Sequence, residues 1–345
     1  MIPLISKSPR AKKLALLRSL GASTWLSGVQ NYSDFAGTVP AVQDGIVAYA
    51  ADLSMGLYPA TQGTTAYCPI LRKGALNQLL NSATLSTQNV SVYAVPYILS
   101  FYGTGTVTLS GAFSGSLVGT GAGNRVYLAF TPTAGTLTLT VSGSVTSAML
   151  EWVVTTPSVY VATTTTPLSN GVGNWWWHFQ DLNAGLATQL PMASDFFIVD
   201  SFGRLDATLY RYMDGAFNAS ASAGFALFGA RSGVEGFEYA TSGGVQVVTS
   251  STPLQYGSPL VLTARMGASV TDMRKNGAQI ISAPSSAAVT APDALFSLGG
   301  AGANFGAGNN CAAARYGVAA CGSSVGDSAV LNIEKYLGAL AGVSL

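Results

Sequence analysis

The chain has 345 residues, of which 48% are hydrophobic and 9% charged, with a formal net charge of +1; its mean hydropathy is +0.36. Charge this sparse, against about 25% in an average soluble domain, with no run approaching the ~18 apolar residues that a membrane helix needs, points to burial of protein against protein rather than lipid. The balanced charge argues against a general nucleic-acid binder, which carries a basic field across one face. Cys68, Cys311 and Cys321 are odd in number and lack metal-ligand spacing, so neither a disulfide framework nor a zinc site is expected, and a reducing cytoplasm suits the chain best. Cys311 and Cys321 are near enough in sequence to meet across a hairpin, although two small buried apolar residues are the reading the pattern favours.

In chain order, residues 1–31 form a basic arm carrying Lys7, Arg10, Lys12, Lys13 and Arg18 and no acid. Leucines at helical spacing predict a short amphipathic helix from about Ser8 to Leu20, with Pro9 in its first turn. Arg18 breaks the apolar run that a secretory signal would require. The arm is expected to dock on another protein of an assembly or on a neighbouring subunit; a helix packed on its own sandwich is equally open. Residues 32–83 are mixed, with Ile46 to Ala50 as one candidate strand, and supply strands to a sheet completed later or act as a linker.

Residues 84–155 carry the clearest pattern. Val107, Leu109, Val118, Val126, Leu128, Phe130, Leu137, Leu139 and Val141 alternate with Thr, Ser or Tyr, and glycines punctuate the segments. That is strand, turn, strand, repeated, with one face of each strand in a core. The stretches Pro96 to Gly111, Gly121 to Val126 and Phe130 to Leu139, ending near Ala148-Met-Leu-Glu151, resemble a small jelly-roll module of tailed-bacteriophage virion proteins. Asp34 to Gly37 through Ala51 to Ser54, Ala60 to Gln62 and Pro69, together with Asn332 to Leu337 and Gly342 to Leu345, are similar to parts of phage proteins with a concanavalin A-like, laminin-G-like sandwich. The resemblance implies a structural or adhesive virion protein, with the arm as virion anchor, other virion proteins as partners, assembly in the host bacterial cytoplasm and a homotrimer by analogy with phage fibres.

Residues 156–345 are expected to form the concanavalin A-like sandwich. Trp175, Trp176 and Trp177 precede His178 and Phe179; on a strand, Trp175, Trp177 and Phe179 share one face while Trp176 and His178 share the other. One face is core, and the other is expected to contact host surface glycans or a subunit interface. Candidate strands follow around Phe196, Leu209, Phe225, Val245 and Leu260. Asn276-Gly277 predicts a tight hairpin, and Asp327 to Leu340 a helix capped by Asp327 and packed on the sandwich edge. The expected fold is therefore all-β: two antiparallel β-sandwiches, jelly-roll and concanavalin A-like, with an N-terminal arm and a short C-terminal helix.

Catalysis finds little footing. The 15 acids are scattered, and Asp195, Asp200 and Asp206 are expected to flank a hairpin turn rather than form an acid–base pair or calcium site. His178, the single histidine, lacks a nucleophile context, and no nucleotide fingerprint or cofactor motif appears. A non-enzymatic structural or adhesive protein is the leading expectation, with a carbohydrate-active enzyme or a viral coat protein as alternatives.

Overall fold

The computed structural model describes the chain apart from residues 1–23, 28–30, 35, 51–59, 63–67, 153, 181–183, 189, 191–194, 206–211, 216–224, 232, 242–243, 268–269, 285–295, 300–311 and 322–325. The five basic residues of the arm, Lys7, Arg10, Lys12, Lys13 and Arg18, lie outside the described residues, as do Cys311 and Asp206.

The fold is all-β with antiparallel sandwiches and one C-terminal helix. The smaller sandwich faces a four-stranded sheet, ordered Gly115–Val118, Thr106–Gly111, Gly135–Ser142, Gln88–Val92, against a three-stranded sheet, ordered Gly121–Phe130, Tyr97–Gly103, Val145–Trp152. The period-2 pattern accounts for it: Val107, Leu109, Leu137 and Leu139 of one sheet share a core with Leu99, Phe101, Val145 and Leu150 of the other.

The larger sandwich is built from strands on both sides of the small one in sequence. Its eight-stranded sheet runs Ala278–Pro284, Val270–Lys275, Leu260–Met266, Phe196–Arg204, Ala313–Cys321, Trp175–Phe179, Ile70–Lys73, with Thr24–Ser27 also paired to Ala313–Cys321. The nine-stranded sheet opposite begins with Asn31–Tyr32, Tyr49–Ala50 and Ala60–Thr61 and ends at the long outer strand Gly244–Pro253. Candidate strand Ile46 to Ala50 is shorter than expected, since Ile46 makes only an isolated bridge to Ile70.

The strand Phe196–Arg204 is buried at every residue. Phe196, Ile198 and Phe202 enter the core between the sheets, and Phe197 and Val199 pack beneath the helix, so its near-continuous apolar run reflects burial on both faces. This corrects the expectation that Asp195 and Asp200 flank a hairpin turn. Asp200 lies mid-strand, where Arg315 donates to its Oδ2 at 2.7 Å and to Asp214 Oδ1 at 2.7 Å. A second buried pair, Arg204 to Glu235 at 2.9 and 2.7 Å, likewise ties one sheet to the other. Both arginines and all three acids are at most 1% exposed. Burial, followed by the neighbouring Asp214 carboxyl, raises the Asp200 pKa well above the ordinary carboxylate range, and Arg315 offsets this only in part.

The C-terminal helix α1 spans Asp327–Ala341. Two expectations about it are corrected. Its N-cap is Gly326 with no side-chain hydrogen bond, and Asp327 in the first turn instead pairs with Arg265. The helix also covers the centre of the eight-stranded sheet rather than its edge: Val330, Ile333 and Leu337 pack on Phe197, Val199, Val261 and Ala319. Its buried Glu334 accepts from Thr263 Oγ1 at 2.7 Å and pairs with Arg274 at 2.9 Å, as a buried carboxylate must. No helix among the described residues is long and apolar enough to cross a membrane. Asn276 and Gly277, at φ 50° and 78°, make the expected hairpin.

Candidate functional site

The Trp175–Phe179 strand lies where the two sandwiches meet, and its alternation is resolved there. Trp177 and Phe179 are fully buried in the large core with half-buried Trp175 against it, while Trp176 joins the core of the small sandwich. Trp177 Nε1 donates to Asn31 Oδ1 at 3.0 Å, and Trp176 Nε1 to the Gly74 carbonyl at 2.9 Å. The second face is covered within the chain: Trp152 of the small sandwich lies 6.0 Å from the Trp176 ring and 5.2 Å from the His178 ring, both edge-on, and Tyr93 stacks on Trp152 at 5.7 Å and 15°. Trp176 and His178, at 6% and 7% exposure, therefore present no open ring face to solvent. Trp175 carries the Lys73 ammonium 5.3 Å over its ring.

Beside this aromatic junction opens a cleft of about 410 Å³, within the ~300–1,000 Å³ range of ligand pockets. Gln88–Val92, the last strand of its sheet, forms one wall. Arg72, Pro167 and His178 form another, and Gln78 and Tyr93 also line the cleft. Four polar atoms on residues that line it are shut off from solvent and have no protein partner: Arg72 Nε, Gln78 Oε1, and His178 Nδ1 and Nε2. Each such atom costs about 1–3 kcal/mol when nothing pairs with it. Burial, and secondarily the Arg72 charge, push the His178 pKa down to about 3, so the imidazole is neutral at physiological pH and offers one donor and one acceptor.

Arg72 is held by Asp44, which accepts from its Nη1 at 2.6 Å and from Ser169 Oγ at 2.8 Å. A smaller cavity of about 200 Å³ lies between Trp152, Trp176, Tyr316 and the end of α1; none of the polar side chains lining it holds a buried unpaired atom. Cys68 is a buried thiol whose pKa burial raises to about 11. Among the described residues no group of three or more His, Cys, Asp or Glu is placed to hold a metal ion.

Of the residues singled out from sequence, the structure brings His178 to this cleft, places Trp176 at the smaller cavity, and sets Trp175 and Trp177 in or against the large core. Arg72, Gln78, Tyr93 and Asp44 were missed. They lie 85 to 134 positions from His178 in sequence, on segments whose meeting depends on how the two sandwiches dock.

No protein-family model matches the sequence, and no curated protein sequence matches it. Among solved structures, the chain is similar to the CBM40 of Ruminococcus gnavus IT-sialidase bound to α2,3 sialyllactose, at 12% identity over 41% of this chain and 83% of that one, with a TM-score of 0.36. Domain 4 of AbnA, a GH43 extracellular arabinanase from Geobacillus stearothermophilus in complex with arabinotriose, gives 12% identity over 46% of this chain and 76% of that one, with a TM-score of 0.39. NanB sialidase from Streptococcus pneumoniae gives 15% identity, 41% and 24% coverage and a TM-score of 0.34. These values assign no activity and no ligand to this chain.

Proposed function

We propose that this chain is a non-enzymatic structural and adhesive protein that binds glycans in the cleft between its two sandwiches. The observation that carries this reading is the uncharged polar lining of the cleft, where Asn89, Ser91 and Thr165 are exposed beside the Tyr93 ring. A saccharide supplies both halves of the match, hydroxyls that donate and accept and an apolar ring face that lies against an aromatic side chain. The presence of carbohydrate-binding modules among the similar structures is compatible with this but does not carry it. A hydrolytic role is disfavoured because Asp200, Asp214, Glu235 and Glu334, all fully buried, are tied up in ion pairs with arginines. An array of immobilised glycans combined with a polysaccharide-cleavage screen tests the reading: saturable binding without turnover is expected, and cleavage at enzymatic rates would contradict it.

In context, we propose a tailed-phage virion component, a capsid decoration, head fibre or tail fibre, assembled in the host cytoplasm and anchored to other virion proteins by Lys7, Arg10, Lys12, Lys13 and Arg18. The resemblance of the Pro96–Glu151 stretch supports the context, and the segregation of basic charge supports the anchor. A closed homo-oligomer, a trimer by the fibre analogy, fits the sparse charge and the outermost strand Gly244–Pro253, which exposes Val245 and Val247 at 44% and 38% and carries no charged residue. Deleting residues 1–23 is expected to leave folding intact and abolish incorporation into particles; a truncated protein that still incorporates would contradict the anchor.

A further inference from the structure

We infer that the cleft selects uncharged saccharides and discriminates against acidic ones, an inference that rests on the glycan-binding reading above. Among the described residues lining the cleft, Arg72 is the only charged one. Its charge is already answered: Asp44 Oδ1 lies 2.6 Å from Nη1, and the Pro167 carbonyl accepts from the same atom at 3.3 Å. Asp44 in turn is held by Ser169, through its backbone N–H at 3.1 Å and its hydroxyl at 2.8 Å, so the pair is a fixed unit of zero net charge.

The groups that the cleft leaves open are then uncharged, the Asn89 amide and the Ser91 and Thr165 hydroxyls, which donate and accept. Donors and acceptors are interleaved. A sugar hydroxyl does both and can serve either kind of group. An ionised carboxylate only accepts, and in this cleft it would exchange its hydration for a neutral ion pair and uncharged polar groups. The neutral state of His178 removes the other source of positive charge. A uronic or sialic acid would therefore find no uncompensated cation.

The test is calorimetric titration of the full chain with matched pairs that differ only in one group: the methyl glycosides of glucose and galactose, and the corresponding methyl uronides. A neutral glycoside is expected to bind with its uronide at least about tenfold weaker, a difference of ~1.4 kcal/mol. Asn89→Lys, at an exposed position on the rim, adds a cation without touching the core and is expected to shift the uronide-to-neutral ratio toward the uronide severalfold. Uronide binding equal to or tighter than the neutral partner overturns the inference while leaving glycan binding intact, and so does an unchanged ratio in Asn89→Lys. If no sugar of the four binds and the glycan array is also silent, the underlying reading fails and this inference with it.

Discussion

At the scale of single residues, the tryptophan run separates three environments that sequence alternation only divides in two. Trp177 is fully buried, Trp176 nearly so, and Trp175 is half-buried at the surface of the core. Trp177→Ala is expected to cost about 3–5 kcal/mol, as truncation of a buried aromatic does. Trp176→Ala should fall close to it, because it also abandons the Gly74 carbonyl, and Trp175→Ala should cost clearly less. Chemical denaturation of the three variants checks the order; a Trp175 loss as large as that of Trp177 would contradict the placement. Period-2 reasoning sufficed to say which rings share a face. It did not say that the second face would be sealed by Trp152 and Tyr93, because that depends on the docking of a segment more than 20 residues upstream.

His178 gives the second residue-scale expectation. Unfolded, it takes up a proton near pH 6.5; folded, burial withholds the proton down to about pH 3. The unfolded chain thus binds more protons in that window, so this contribution to stability is complete above pH 6.5 and is lost as pH falls toward 3, by at most ~1.4 kcal/mol per pH unit. His178→Gln should remove that dependence, read as the difference in unfolding free energy between wild type and variant at pH 7 and pH 4.5. A difference that does not change with pH would mean that the imidazole is hydrated in the native protein.

At the scale of elements, glycines that look alike in sequence do different work. Gly277 has φ +78° in the hairpin with nothing within 4 Å of an added Cβ, so Gly277→Ala pays only the left-handed backbone cost of about 1–2 kcal/mol. Gly74 has φ +73°, but a Cβ there would sit 2.1 Å from the Val172 carbonyl oxygen. Its own carbonyl also holds Trp176. Gly74→Ala is therefore expected to be the more damaging of the two, lowering the melting temperature well beyond Gly277→Ala; equal shifts would contradict the close approach of these two loops. The Asn-Gly pair announced its hairpin because both residues must accept positive φ. The strand Phe196–Arg204 was legible as a strand, but Asp200 within it was misread, since a lone acid in an apolar run signals a turn unless the arginine opposite it, 115 positions away, is known. The helix was found from its apolar spacing, and its seat was not, because strands buried on both faces do not reveal what covers them.

At the scale of the molecule, the core of the small sandwich does not end at its own sheets. It runs on through Trp152 to Trp176, Leu205, Ala312 and Ala314 of the large one. A shared core of this kind couples the two parts energetically, and calorimetry is expected to show one unfolding transition that tracks both; two separated transitions would contradict it. The same junction forms the cleft on which the functional reading rests, and the chain's single histidine sits in its wall. That makes the decisive measurement unusually specific. Long-range nitrogen–proton NMR of histidine-labelled protein reports the His178 ring alone, and titration with a glycan that binds on the array is predicted to shift its Nδ1 and Nε2 resonances saturably, with the same dissociation constant as binding. Saturable binding that leaves both ring nitrogens unmoved would place the ligand elsewhere and contradict the account.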